Sequence, residues 1–461
     1  MDDLIYTSAS ELAQAIASKR VSSEEVVKSH LKRIQDVNPR LNAVVCLDEE
    51  EALRQARAAD QALAQGKIKG PLHGVPMTIK DSFETTGLVS TSATKGRANF
   101  VPSEDATAVA RLRAAGAIVM GKTNLPEFTW WGESENLVYG RSNNPYDLSR
   151  TPGGSSGGAA AILAAGGSPL ELGSDTYGSI RQPSHFCGTA GIKPTSGRVP
   201  RTGHFPPATG PMDWIEQVGP MARTVDDLIL TLPILSGVDG RDPDIIPMPL
   251  GDPLSVRLKG LRAAFFTDNG VVAAEAQVVE TVRKAVHFLE GSGITVEEGR
   301  PDCFARVYDL LAALWGADGD ATPRAMLKLA GTSLEDTSPS LRLIMSFPPI
   351  STAEFFALYA EAVRFRQDSL AFMQKYDVII SPPCACLAPT HGKIAEINNM
   401  LRYTMLYNLL GWPAVVVRAG TSSEGLPIGV QVAARAWRED VALAVAKHIE
   451  SGMGGFRRPL L

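Results

Sequence analysis

Apolar and polar positions along this chain follow two periods, and the changes of period mark its elements. Ser8-Ala9-Ser10-Glu11 and Ser22-Ser23-Glu24-Glu25 are capping boxes, each followed by helix formers. In the second, Val27, Leu31 and Ile34 recur at i, i+4 and i+7, which predicts an amphipathic helix with Pro39 just beyond its end. An alanine-rich helix is expected over about 49–65. From Pro71 the period shortens. Val75–Ile79 and Ala117–Met120 read as strands, separated by a helix over Ala106–Ala115 that Gly116 stops. Thr224-Val225-Asp226-Asp227 caps another helix.

A stretch rich in Pro, Gly and Asp at about 239–253 crosses between two halves. Beyond it come a strand (Arg262–Thr267), a helix with Val279, Val282, Val286 and Leu289 on one face, and a strand at Ile294–Glu297. Residues from about 300 to 370 are helical and weakly patterned, as in a variable cap. Tyr376–Ser381 and Ala414–Arg418 return to strand, and Gly425–Gly429 turns into a last core strand. This alternation predicts an α/β sheet covered on both faces.

Composition adds exclusions. Of 461 residues, 44% are hydrophobic and 21% charged, ordinary values for a globular chain able to bury a large core. The balance of 45 basic against 50 acidic residues argues against a nucleic-acid surface. Five scattered cysteines suggest free thiols in a reducing compartment, and Cys384-Ala385-Cys386 lacks the spacing and partners of a zinc site. The acidic N-terminus is no signal peptide, and no apolar run has the length of a membrane span. The expectation is a cytoplasmic protein with no metal, no cofactor, and no nucleic-acid or membrane partner.

The chemistry concentrates in Thr151–Arg181, where two glycine loops flank a small-residue helix. Ser155 lies in the first (Gly153-Gly154-Ser155-Ser156-Gly157-Gly158) and Ser179 in the second (Asp175-Thr176-Tyr177-Gly178-Ser179). Such loops let main-chain N–H groups approach a ligand, and a serine beside free donors suits acyl transfer. The seven histidines offer no evident base: each reads as a surface or satisfied core residue. Lys80 ends the apolar run Gly74–Lys80, where desolvation would supply a neutral amine; the plain alternative is a strand-end lysine reaching solvent. The sequence Gly153–Gly157 also satisfies G-x-S-x-G, but a polar loop precedes it where a nucleophile elbow needs a strand. No GK[ST] follows to make a phosphate loop.

These glycine loops, the continuation Gly173–Val199 and the upstream Gly74–Asp81 resemble the amidase signature family. The likeness extends to Gly121–Phe128, Gly219–Val225 and Gly425–Gly429, and fails only across about 270–370. The separations agree too: 75 residues from Lys80 to Ser155 and 24 from Ser155 to Ser179. The resemblance implies one α/β/α domain over 1–461 around a mixed, mostly parallel sheet. Its parts would be N-terminal helices (about 1–65), the signature core (70–235), the cap (270–370) and C-terminal strands (375–450). It implies Ser179 as nucleophile, Ser155 as bridging serine with a cis bond to Gly154, and Lys80 as terminal base. The oxyanion hole would be the N–H groups of Thr176, Tyr177, Gly178 and Ser179, with Asp175, Arg181 and Ser156 supporting the loops. Tyr177 departs from the family's usual glycine; its ring either lines the acyl pocket or packs behind it.

Phe128-Thr129-Trp130-Trp131 follows a motif that the resemblance puts near the site, so these residues either line a pocket or pack beneath a loop. With Tyr177, the residues Phe128, Thr129 and Trp130 are the substrate-binding candidates, and Phe205-Pro206-Pro207 and Met212-Asp213-Trp214 a candidate opposite wall. No arginine stands out as a clamp, which favours a neutral, hydrophobic or aryl amide; carbamates, anilides and esters pass through a similar intermediate. The alternative is the glutaminase subunit of a tRNA-dependent amidotransferase. The expected assembly is a monomer or homodimer acting on a small-molecule amide or carbamate.

Overall fold

Short apolar runs bounded by turn residues form the strands of the computed structural model, which describes residues 2–207, 209–396 and 402–461. They are β1 (Val44–Leu47), β2 (Pro76–Lys80), β3 (Ile118–Thr123), β4 (Glu135–Asn136), β5 (Gly140–Arg141), β6 (Leu170–Asp175) and β7 (Ala190–Lys193). After them come β8 (Gln217–Ala222), β9 (Arg262–Phe265), β10 (Thr295–Glu298), β11 (Val378–Ser381), β12 (Ala414–Thr421) and β13 (Pro427–Ala434). Strands β4 and β5 form a small ladder of their own; the other eleven make one sheet in the order β1-β3-β2-β6-β8-β7-β12-β13-β11-β9-β10. The fold is a single α/β domain on a mixed sheet.

The expected parallel majority needs correcting. Among the described residues of the large sheet, β2–β3, β2–β6, β9–β10 and β9–β11 are parallel, and its other six pairings are antiparallel. The cause is topological. After β7 the chain returns as β8, which inserts between β6 and β7 and runs against both. Strands β12 and β13 then add as a tight hairpin closed by the Ser422 N–H on the Leu426 carbonyl.

Both faces of the sheet are buried, and period-two alternation divides its side chains. In β11, Val378 and Ile380 join one core cluster while Ile379 joins the other; in β13, Val430, Val432 and Ala434 oppose Ala433. The helices Val225–Leu235, Ala276–Gly291 and Glu439–Met453 supply apolar residues to the first face. Helices Gly157–Ala164 and Arg181–Cys187 cover the second. The helix of the second capping box runs Ser23–Leu41 and so contains Pro39, contrary to the expected stop. A proline one turn from a helix end removes few bonds, and the Asn42 N–H resumes bonding to Asn38. The cap comprises helices Val307–Trp315, Ala321–Ala330, Pro339–Ile344 and Thr352–Met373. Among the described residues no helix is long and apolar enough to cross a membrane.

Candidate active site

The parallel register of β2 and β6 pairs Thr78 with Glu171 and Ile79 with Leu172, which sets Lys80 beside Gly173 and Ser174 at the strand ends. Lys80 is fully buried there, and its Nζ lies within hydrogen-bond distance of Ser155 Oγ (2.7 Å) and Ser174 Oγ (2.9 Å). Burial lowers the lysine pKa to about 7, against the opposing pull of Glu216, Asp175 and Glu171. Near neutrality the amine is available as a base.

Ser155 is buried and the peptide joining it to Gly154 is cis. A Cβ on Gly154 would meet the Glu133 nitrogen at 2.6 Å, so only glycine fits that approach. Ser156 ties the two loops: its N–H donates to the Ser179 carbonyl at 3.1 Å and its hydroxyl to the Ser174 carbonyl at 3.3 Å. Ser179 itself is half-buried, the accessible member of the set.

The loop carrying Ser179 is folded around one carboxylate. Asp175 accepts from the N–H groups of Gly178 (2.8 Å) and Ile180 (3.1 Å), from Arg181 Nε (2.9 Å) and Nη2 (2.8 Å), and from Asn408 Nδ2 (3.0 Å). Burial opposes its ionisation, but the Arg181 guanidinium outweighs it and holds the carboxyl well below the usual range. Arg181 is itself buried and donates further to the Thr404 carbonyl (2.8 Å), Gln431 Oε1 (2.9 Å) and Asn408 Oδ1 (2.5 Å). Gly178 has φ +122°, and a Cβ there would lie 2.4 Å from Thr404 Oγ1. Because its N–H is spent on Asp175, Gly178 does not join the free donors expected of it. The N–H groups of Thr176, Tyr177 and Ser179 have no protein partner among the described residues.

Ser179 opens onto a chamber of about 260 Å³. Gly154, Thr176, Tyr177 and Gly178 form its floor, and Thr129, Trp130 and Trp131 one side. The roof is the cap, through Tyr308, Leu311, Ala312, Trp315, Leu343, Ile344 and Phe347. No charged side chain lines it among the described residues. The Tyr177 ring lines the chamber, 5.8 Å from the Trp315 ring, and its hydroxyl donates to the Leu311 carbonyl at 3.4 Å.

Phe128 is the substrate-binding candidate that the structure removes. Phe128 and Thr129 have φ of +57° and +67°. This turn buries Phe128 against Phe205, Leu327 and Leu341 while presenting Thr129 and Trp130 to the chamber. The opposite wall is also reassigned. Pro206, Pro207 and Asp213 line an adjoining cavity of about 340 Å³, beyond Trp130 and Trp315. Phe205 is core, Trp214 packs against the second core cluster, and the Met212 side chain lies outside the described residues. Sequence reasoning missed Ser174, Thr404, Asn408 and Gln431. A polar Gln431 inside an otherwise apolar strand was the available signal.

Comparison with known proteins places the chain in a family. The profile of the Amidase family matches residues 25–443. The chain is 34% identical to a glutamyl-tRNA(Gln) amidotransferase subunit of Alkaliphilus metalliredigens, over 97% of this chain and 96% of that one. Among solved structures, 6-aminohexanoate cyclic dimer hydrolase complexed with substrate superposes with a TM-score of 0.89 at 28% identity, covering 99% of each chain. A bacterial aryl acylamidase does so with a TM-score of 0.86 at 28% identity, covering 97% and 96%.

Proposed function

The chain belongs to the amidase signature family, and from that premise we propose that it hydrolyses the C–N bond of neutral, hydrophobic or aryl amides. In this reading Ser179 attacks the carbonyl while Ser155 takes its proton and neutral Lys80 takes that of Ser155. The N–H groups of Thr176, Tyr177 and Ser179 receive the developing oxyanion. The proton returns to the departing nitrogen, and water then cleaves the acyl-enzyme by the same route. The observation that carries the chemistry is the buried Lys80 amine, 2.7 Å from Ser155 with its pKa lowered to about 7.

The substrate preference rests on the chamber, whose described lining is mostly aromatic and aliphatic, with Thr129, Thr176 and Gln182 as polar members and no charge. Anilides, carbamates and esters of similar shape fall within the same chemistry. The curated relatives favour a second reading, the glutaminase subunit of a tRNA-dependent amidotransferase, since glutamyl-tRNA(Gln) amidotransferase subunits align along nearly the whole chain. Glutamine brings an ammonium and a carboxylate, which an uncharged chamber receives poorly.

Product release from acyl anilides, aryl carbamates, esters and glutamine, with Ser179→Ala alongside, separates the two. Turnover of anilides or carbamates by the isolated chain, lost in Ser179→Ala, supports the first reading. Turnover of glutamine alone, or only once partner proteins are present, replaces it with the second.

A further inference from the structure

Lys80 has a second partner, and behind that partner lies a buried histidine outside the serine relay. Ser174 Oγ, 2.9 Å from Lys80 Nζ, is 3.0 Å from His204 Nε2. The other ring nitrogen, Nδ1, lies 2.9 Å from Glu216 Oε1 and 3.3 Å from the Pro206 carbonyl oxygen. Ser174, His204 and Glu216 are exposed by only 2%, 4% and 6%, so water competes little for these contacts. The antiparallel register explains the placement: β8 pairs Val218 with Ser174, which brings Glu216 to the level of the Ser179 loop.

The proton positions follow from the partners. A carboxylate and a carbonyl both face Nδ1, and both are acceptors, so Nδ1 carries the ring proton. With the proton on Nδ1, Nε2 is left as the acceptor and takes the Ser174 O–H. The Ser174 oxygen is thereby left to accept from Lys80. A neutral lysine amine has two N–H donors and one lone pair; with one N–H committed to Ser174, the lone pair is kept for Ser155.

We propose that His204, held by Glu216, is a positioning residue that acts through Ser174 to keep the Lys80 lone pair directed at Ser155. The proposal rests on Lys80 as the terminal base. Without the His204 acceptor, the Ser174 hydroxyl is free to rotate and donate into that lone pair, in competition with Ser155.

The probe is phenylmethanesulfonyl fluoride, which sulfonylates an activated serine with loss of fluoride and needs no knowledge of the substrate. The labelling rate at Ser179 is followed by mass spectrometry on the full chain. Two variants divide the ring: His204→Gln keeps an acceptor toward Ser174 and loses Glu216, whereas His204→Asn keeps the Glu216 contact and loses Ser174. The expected result is a rate within about threefold of the native one for Gln and about tenfold lower for Asn. Native rates in both, equal losses in both, or a Gln variant slower than Asn would each overturn the proposal.

A second cycle guards against a merely weakened fold. In a Ser174→Ala background, His204→Asn should cause no further loss, whereas losses that multiply sink the idea. Label that persists in Ser179→Ala, or settles on another residue, counts against the parent reading and is distinguishable from all of these outcomes.

Discussion

The floor and the roof of the Ser179 chamber are built by opposite means. The floor, from Gly153 to Arg181, is almost wholly buried, and its second loop is fixed by hydrogen bonds converging on Asp175 from the loop itself and from the distant Asn408. The roof comes mainly from two helices, Val307–Trp315 and Pro339–Ile344, and meets the side wall and the floor through rings: Trp315 stacks edge-on to Trp130 at 5.2 Å and tilts over Tyr177 at 5.8 Å. Nearby cap residues such as Leu343 and Phe356 remain exposed. Donors that stabilise a transition state must be in place before it forms, and only an over-determined backbone holds them there. A wall that selects by shape tolerates looser packing. On the proposed function, chemistry belongs to the first region and substrate choice to the second.

The largest effects should come from the floor. Ser179→Ala and Lys80→Ala are each expected to lower amide turnover by about 10³-fold or more, measured as initial rates on the best anilide. A residual rate close to the native one in either would dissolve the division. Next comes Arg181→Ala, which leaves the Asp175 carboxylate buried without its counter-charge. A loss of about 3–5 kcal/mol in denaturant unfolding is expected, with activity lost as the donor loop relaxes. Stability unchanged by this substitution would mean that the loop is held by something other than its ion pair.

Sequence was a good guide to the floor and a poor one to its surroundings, for a physical reason. Capping boxes and glycine loops are local: Ser8 and Ser22 bond within their own first turns, and Gly154 is required by its own backbone's close approach. Asn408, Thr404 and Gln431 reach Arg181 from more than two hundred residues away, so no window of sequence contains both ends. Phe128 shows the same limit at short range. Nothing in its neighbours announces the left-handed turn that sends it into the core and Trp130 into the chamber. The position of β8 between β6 and β7 is likewise set by tertiary packing, and with it the approach of Glu216 and His204 to Ser174.

Titration tests the floor from another side. Only neutral Lys80 accepts a proton, so kcat/KM should rise with pH through about 7 and level off above it. Stability carries the same sign. The folded pKa of about 7 lies below the unfolded value, so the folded chain binds fewer protons between the two, and stability climbs as pH rises across that window. In Lys80→Met this climb should be missing, so that the difference between the native and variant curves isolates it. A rate profile flat through neutrality would remove Lys80 as the base. On the roof, Trp315→Ala is expected to raise KM for aryl substrates by about tenfold through lost contact area, while kcat moves far less. A fall in kcat without a change in KM would place the roof in the chemistry and break the division.

The smallest effect should appear where floor and roof meet. Tyr177 contributes a main-chain N–H to the floor and a ring to the chamber, and its hydroxyl reaches the Leu311 carbonyl at 3.4 Å. Tyr177→Phe removes that link while leaving the ring and the N–H in place. At 3.4 Å the bond is long, so its loss should cost about 1 kcal/mol or less, read as a KM shift of about threefold with kcat unchanged. If kcat falls instead, the position of the cap is being communicated to the donor loop through this one hydroxyl. The two regions would then differ in construction but not in function, and substrate fit would act on the chemistry directly.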